Sequence, residues 1–142
     1  MWIPAPSFSP DHIHPILVNF TAALVPCSFA SDLLGRVFRK QSLHDAGWWM
    51  LAYAALITPF TALAGLLWKR SVGQALPPQL LMTHQWLGII LAIFLVIVTF
   101  WRWQSHARNE APAWFYLFVT FLVVLALVYQ GTLGGGMAFG WQ

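Results

Sequence analysis

Charged side chains are scarce in this sequence. Asp, Glu, Lys and Arg together make up 8% of the 142 residues, whereas 59% are hydrophobic and the mean hydropathy is +0.68. A soluble domain carries about a quarter charged residues, because its surface must face water. The composition therefore excludes an ordinary soluble domain and predicts an integral membrane protein.

Other absences narrow the function classes. Cys27 is the single cysteine, so a disulfide framework is excluded. The chain has no His-Glu-x-x-His motif or paired Cys-x-x-Cys motif for zinc, and no nucleophile–base pair or phosphate-binding loop, so an enzyme is not predicted. Its basic residues do not interleave with aromatic ones on a soluble face, which excludes a nucleic-acid partner. Met1–Pro10 has no basic start or small-residue cleavage site, and we expect an irregular segment rather than a cleaved signal peptide.

Long apolar runs dominate what is present. Four of them exceed the roughly 18 residues needed to cross a bilayer. They predict an all-α fold, a single membrane domain over residues 1–142 formed by a bundle of four transmembrane helices. We expect the fourth helix to end before Gly134–Gly136, because glycine weakens a helix. The predicted spans cover about residues 12–35, 47–68, 79–101 and 113–131.

Basic residues indicate the orientation of the bundle. The predicted loops 36–46 and 102–112 contain five Lys and Arg residues, whereas the predicted loop 69–78 and the two termini contain two. Cytoplasmic loops of membrane proteins carry the excess of positive charge. We therefore expect a multi-pass protein of the bacterial inner membrane with both termini on the outer, periplasmic side.

Two histidines stand near the starts of alternate helices. His14 opens the first span and His84 the third, so both are expected at the outer face. At about 100° per residue, Thr21, Ser28 and Asp32 lie nearly in line with His14. Because lipid cannot satisfy polar side chains, this stripe is expected to face the interior of the bundle.

The paired histidines favour a haem site. A b-type haem in a helical bundle needs one or two neutral imidazoles from facing helices and small residues against the macrocycle. His14 and His84 would be the axial ligands of the haem iron. Gly88, one turn after His84, would leave room beside its imidazole, and Gly134 and Gly135 would add bare backbone at the same depth.

Electron transfer is the function that follows from such a site. The predicted protein is a small membrane subunit that takes electrons from quinol or passes them to a periplasmic redox partner. One alternative is a non-catalytic accessory or assembly subunit of a larger membrane complex, in which both histidines are structural. Another is a quinone or copper carrier, with copper held by the runs Asp11-His12-x-His14 and Met82-x-His84.

Three further ionisable residues have two interpretations each. Asp32 is either a proton-relay carboxylate or, as we prefer, the partner of Arg36 four residues later at the helix end. His44 and His106 lie towards the inner face. They are either ligands of a second haem or, as we prefer, ordinary loop histidines.

The residues from His14 to Phe20 resemble a family signature. They are similar to the His-Pro-x-x-Val-His-Phe-Pro motif of a bacterial membrane family, the domain of unknown function 2231. The resemblance extends over about residues 12–140 and implies four transmembrane helices and association with haem and periplasmic electron-transfer proteins. Other positions that match the family are Asp32, Gly65, His84, Gly134 and Gly135.

The sequence departs from that signature at two positions. Asn19 stands where the family has its second histidine, and Thr21 where it has a proline. If the missing histidine were an obligatory ligand, the site would be inactive here. Asn19 lies about 140° around the helix from His14, so one metal could not take both positions as ligands without distortion.

Overall fold

Four helices make up the protein. The computed structural model describes residues 13–72 and 76–139, in which the helices are α1 (Ile13–Phe38), α2 (Gln41–Val72), α3 (Pro78–Ala107) and α4 (Trp114–Phe139). Each contains a stretch long and apolar enough to cross a membrane, and the described residues form no strand. The predicted all-α fold with four spans is confirmed.

The helices form a closed ring. Each packs against its neighbours in the order α1, α2, α3, α4 and back to α1, and the α1–α2 interface is the most extensive. In consequence α1 and α3 lie diagonally across the bundle, as do α2 and α4. Short connections make consecutive helices antiparallel. We call the end that holds His14 and His84 the histidine end, and the opposite end, with Arg36, Arg39 and Arg102, the arginine end.

Apolar side chains cover both the interior and the exterior of the bundle. Val25, Leu51, Leu95 and Val98 are at most 2% exposed and form the centre of the core. The outward faces carry equally large apolar residues, among them Phe60, which is 61% exposed. A helix that is apolar all round is suited to a lipid environment. The core and the outward faces of the helices are therefore similarly hydrophobic. What distinguishes the core is its few buried polar groups.

The helices extend beyond the apolar runs. We expected α2 to begin near residue 47 and α3 to end near 101, but they begin at Gln41 and end at Ala107. His44 and Arg102, both expected in loops, consequently lie within helices. The prediction that α4 ends before the glycines was also wrong, since it continues to Phe139. Unpaired backbone in an apolar environment costs more than the low helix propensity of glycine.

Left-handed residues end the two helices that finish at the arginine end. Arg39 follows α1 with a φ of 54°, and Asn109 follows α3 with a φ of 52°. The N–H of Lys40 donates to the carbonyl of Gly35 at 2.9 Å, and an equivalent bond closes the end of α3. This is the Schellman arrangement, which usually has glycine and sometimes asparagine at the left-handed position. An arginine there is unusual.

Candidate functional site

The two imidazoles of the histidine end meet across the bundle. His14 on α1 and His84 on α3 come from diagonal helices, and their ring centroids are 6.3 Å apart with planes at 89°. Both side chains are half-buried. The structure thus brings together the two histidines that the sequence singled out.

The orientation of His14 is determined by α2. Its Nδ1 lies 2.9 Å from the carbonyl oxygen of Thr61, and Trp68 stacks on the ring at 5.9 Å. Because a carbonyl only accepts hydrogen bonds, Nδ1 carries the proton and the lone pair of the neutral imidazole is on Nε2. A backbone carbonyl bound to one ring nitrogen is typical of imidazoles whose other nitrogen binds a metal.

Polar atoms around His84 are incompletely paired. The side-chain amide of Gln130 donates to the backbone carbonyl of His84 at 2.9 Å. Within the described part of the chain, neither Nδ1 of His84 nor Oε1 of Gln130 has a hydrogen-bond partner, although both atoms are buried. Buried polar atoms nearly always have partners in proteins. Since Gln130 is bonded to His84, these two exceptions indicate that a further polar group or ligand would fit at this end of the bundle.

A glycine of α2 and a glycine of α4 lie in close contact with the two imidazoles. A Cβ on Gly65 of α2 would lie 2.8 Å from Cε1 of His14, and one on Gly134 of α4 would lie 3.2 Å from Cε1 of His84. With any side chain at Gly65, the His14 ring or α2 would therefore have to shift. The half-buried Gly135 lies next to Gly134 on α4. Backbone thus approaches the pair from the α2 and α4 sides.

Gly88 has a different neighbour from the one expected. A Cβ on this glycine would meet the amide nitrogen of Gln130 at 2.9 Å, and no atom of the His84 ring lies within 4 Å of it. The expectation that Gly88 makes room beside the imidazole was therefore wrong. The reason is that Gln130 reaches across from α4 to the His84 carbonyl and occupies the space that Gly88 leaves.

The polar stripe of α1 faces the interior as expected. Thr21, Ser28 and Asp32 are 6%, 2% and 0% exposed. The hydroxyl of Thr58 donates to its own helix, so Thr21 donates to Thr58 across 3.0 Å. Ser28 donates to the carbonyl of Gly47 at 2.7 Å. These groups hold α1 against α2.

Asn19 points away from this interior. Its side chain is exposed, on the outer surface of α1. A histidine at this position would also face outwards, so its replacement leaves the His14–His84 pair unchanged.

A buried ion pair lies at the arginine end. Nε and Nη2 of Arg102 donate to the two carboxylate oxygens of Asp32, each at 2.9 Å. Nη2 also donates to the carbonyl of His44 at 2.8 Å, and Nδ1 of His44 lies 3.2 Å from Asp32. Arg102 is 1% exposed and His44 3%. Three elements of the bundle are therefore joined through one carboxylate.

The expected pair of Asp32 with Arg36 was wrong. Arg36 donates to the carbonyl of Pro112 at 2.7 Å and lies 4.9 Å from the ring centroid of Trp114. Asp32 faces the centre of the bundle, and a fully buried carboxylate needs a counter-charge that reaches the same depth. Arg102 on the diagonal helix does so, whereas Arg36 turns towards α4.

His44 and His106 are helical rather than loop residues. His44 binds Asp32, whereas His106 stacks on Trp48 at 5.0 Å and has its Nδ1 3.8 Å from Asp45. Each imidazole thus has a different partner. Among the described residues, no three or more His, Cys, Asp or Glu side chains lie close enough together to hold a metal ion. His12 lies outside the described residues.

Arg102 is the residue that the sequence reasoning missed most clearly. Hydropathy predicts a loop position for it, because it follows the apolar run. The spacing of Leu91, Leu95 and Val98, all buried on α3, continues to Arg102 at the next turn. That periodicity was the signal that could have located it. Thr61 and Trp68 carried no such signal, because only packing shows which imidazole they contact.

The chain matches a known family model over nearly its whole length. A family model described as "Predicted membrane protein (DUF2231)" matches residues 10–142, nearly the whole chain. Comparison with curated proteins and with solved structures gives no match.

Proposed function

The chain belongs to the domain of unknown function 2231 family of predicted membrane proteins, and we propose that it is a small electron-transfer subunit with one b-type haem between His14 and His84. It is a multi-pass membrane protein with four candidate spans. The proposal concerns the histidine end and is supported by side-chain geometry there.

The separation of the two imidazoles is the main support. A metal–imidazole bond of about 2.0–2.1 Å places two ring centroids about 6 Å apart when one metal lies between them. The centroids of His14 and His84 are 6.3 Å apart. The two ring centroids therefore have the separation of a pair of axial ligands.

Small residues lie against both imidazoles. The histidines come from diagonal helices, so a ring between them would have its edges towards α2 and α4, whose Gly65 and Gly134 pack directly on the two imidazoles. The Thr61 carbonyl keeps Nε2 of His14 free for the iron. A bound haem supplies one-electron chemistry, and buried axial histidines tune its potential. Its donor would be quinol, or its acceptor a periplasmic redox protein.

Absorption spectroscopy of the purified protein tests the proposal. We expect a b-type reduced-minus-oxidised spectrum, and its loss in the His84→Ala variant without loss of membrane insertion. The matched control is His106→Ala, which removes a half-buried histidine of the same helix at the arginine end. A wild-type protein that takes up no haem on reconstitution, or a His84→Ala variant with an unchanged spectrum, contradicts the proposal.

One observation favours a second candidate, an accessory or assembly subunit with structural histidines. The ring of His14 has a hydrogen-bond partner in Thr61 and a stacking partner in Trp68, so it is stabilised without a cofactor. In that case the protein would remain colourless after reconstitution and would co-purify with a larger membrane complex. A quinone in the same pocket would instead appear in an organic extract of the purified protein.

A further inference from the structure

A cavity at the arginine end is lined by basic and polar groups. It has a volume of about 460 Å³ and lies between the end of α1, the start of α2 and the segment that precedes α4. Its walls include Arg36, Arg39, Gln41, His44 and Trp114. None of the described residues that line it carries a carboxylate. The cavity therefore favours an anion.

Two carboxylates contact wall residues of the cavity from behind. Asp32, behind His44, is bound by both nitrogens of the Arg102 fork. Asp45 accepts from the side chain of Gln41 at 3.1 Å. Arg36 is held by the carbonyl of Pro112, which orders its guanidinium without neutralising its charge. Among the described residues, neither Arg36 nor Arg39 forms an ion pair with a carboxylate, so both guanidinium charges can bind a ligand.

The position of the cavity indicates which anion it takes. Trp114 on its wall is 58% exposed, and Val37 and Phe38 beside Arg36 are 57% and 62% exposed. Tryptophans are enriched at the level of lipid headgroups. A ligand here would have a charged part among arginines and apolar parts against the outward surfaces of α1 and α4. An amphiphile fits this description better than a free ion.

We propose that this cavity binds the phosphate group of an anionic phospholipid. Arginine guanidinium groups bind phosphate oxygens in a planar, bidentate manner, and basic pockets between transmembrane helices bind acidic lipid headgroups. Arg36 and Arg39 hold the phosphate, and the acyl chains lie along the apolar surface next to Val37 and Phe38.

The backbone conformation of Arg39 also supports the proposal and allows a test of it. Its φ of 54° is in the left-handed region, where side chains with a Cβ are disfavoured and glycine is not. The turn would therefore be more stable with glycine at this position. An arginine here lowers the stability of the turn, and its side chain lies on the wall of the cavity. Unfavourable backbone conformations of this kind cluster at binding sites.

The experiment compares two matched glycine variants. Arg39→Gly removes the guanidinium and relaxes the turn, whereas Asn109→Gly makes the same backbone change at the end of α3, at a residue that does not line the cavity. Protein stripped of lipid in a neutral detergent would be mixed with phosphatidylglycerol or phosphatidylcholine, and bound lipid counted by native mass spectrometry.

We expect tighter binding of phosphatidylglycerol than of phosphatidylcholine, and a loss of about five-fold in phosphatidylglycerol affinity for Arg39→Gly. Asn109→Gly should bind like wild type, and both variants should have thermal unfolding midpoints no lower than wild type. Inorganic phosphate at millimolar concentration should not displace the lipid. Equal binding of the two lipids, wild-type affinity in Arg39→Gly, or displacement by inorganic phosphate would each overturn the proposal.

Discussion

The carboxylate of Asp32 accepts hydrogen bonds from two helices other than its own. Arg102 on α3 binds both of its oxygens through two nitrogens. Nδ1 of His44 on α2 lies 3.2 Å from Oδ1, the oxygen that Nη2 of Arg102 also binds. All three side chains are under 5% exposed. In an apolar bundle such a group is stable only as a complete pair, because each charge alone would be buried without compensation.

Asp32→Asn should therefore destabilise the bundle strongly. The substitution leaves the guanidinium of Arg102 buried without its counter-charge, which costs about 3–5 kcal/mol. The measurement is chemical unfolding of the purified protein in detergent. The double variant Asp32→Leu with Arg102→Leu should recover much of the loss, since it buries neither charge. If the free energies of unfolding lost in Asp32→Leu alone and in Arg102→Leu alone add up to the loss in the double variant, the pair is not coupled.

Gly65→Ala should disturb the histidine end. Its Cβ would lie 2.8 Å from the ring of His14, which Thr61 and Trp68 hold in place, so the ring or the helix must shift. Overpacking of this kind costs about 1–3 kcal/mol, measurable as a lower thermal unfolding midpoint.

Gly131→Ala is the matched control for that substitution. A Cβ at Gly131 has no atom within 4 Å, and alanine improves helix propensity by up to about 1 kcal/mol. We expect an unchanged or slightly higher unfolding midpoint. If both alanine variants behave alike, the close contact between Gly65 and His14 does not exist.

At the scale of the helices, α1 and α2 are joined by short polar contacts. Thr21 and Thr58 bond hydroxyl to hydroxyl, and Ser28 bonds to the backbone of Gly47. Between these contacts the interface is apolar, since Val25 and Leu51 are 2% and 1% exposed. The polar stripe is therefore interrupted and does not form a continuous hydrogen-bonded path from one end of the bundle to the other.

A double-mutant cycle of Thr21→Val and Thr58→Val measures this interface. Hydrogen bonds between membrane helices contribute about 0.6 kcal/mol on average, so we expect a coupling free energy of that order in unfolding experiments. Thr99→Val is the control, because among the described residues its hydroxyl bonds to one group, the carbonyl of Leu95 in its own helix. Coupling between Thr21→Val and Thr99→Val as large as that between the two threonines would contradict the contact.

For the whole molecule, the distribution of charge predicts the orientation. The arginine end has five Lys and Arg residues in sequence, but Arg102 is buried and paired with Asp32, so four remain against two at the histidine end. The excess persists after this correction. The arginine end should face the cytoplasm and the histidine end the outside.

Cysteine labelling in intact cells tests the orientation. In a Cys27→Ala background, Gln79→Cys at the histidine end should react with a membrane-impermeant maleimide, because Gln79 is exposed near the start of α3. Arg108→Cys, exposed after the end of α3, should react only after the cells are permeabilised. The reverse pattern would place the histidine end in the cytoplasm and remove a periplasmic redox partner from consideration.

The sequence determined the class of the protein and the number of helices. Few charges and four long apolar runs leave membrane-spanning helices as the structure that satisfies the backbone in lipid. It also determined that His14 and His84 share one end, because helices of a bundle alternate in direction. The interior stripe of α1 followed from helical periodicity.

Only the tertiary structure decided which polar groups meet. Hydropathy placed Arg102 and His44 in loops, since a charged residue after an apolar run looks like its end. In the fold the buried charge of Arg102 is neutralised by Asp32 on the diagonal helix, a partner seventy positions away in sequence. The same holds for Gly88, whose neighbour is Gln130 of another helix. Periodicity describes one helix at a time, whereas these contacts depend on how the four helices close into a ring.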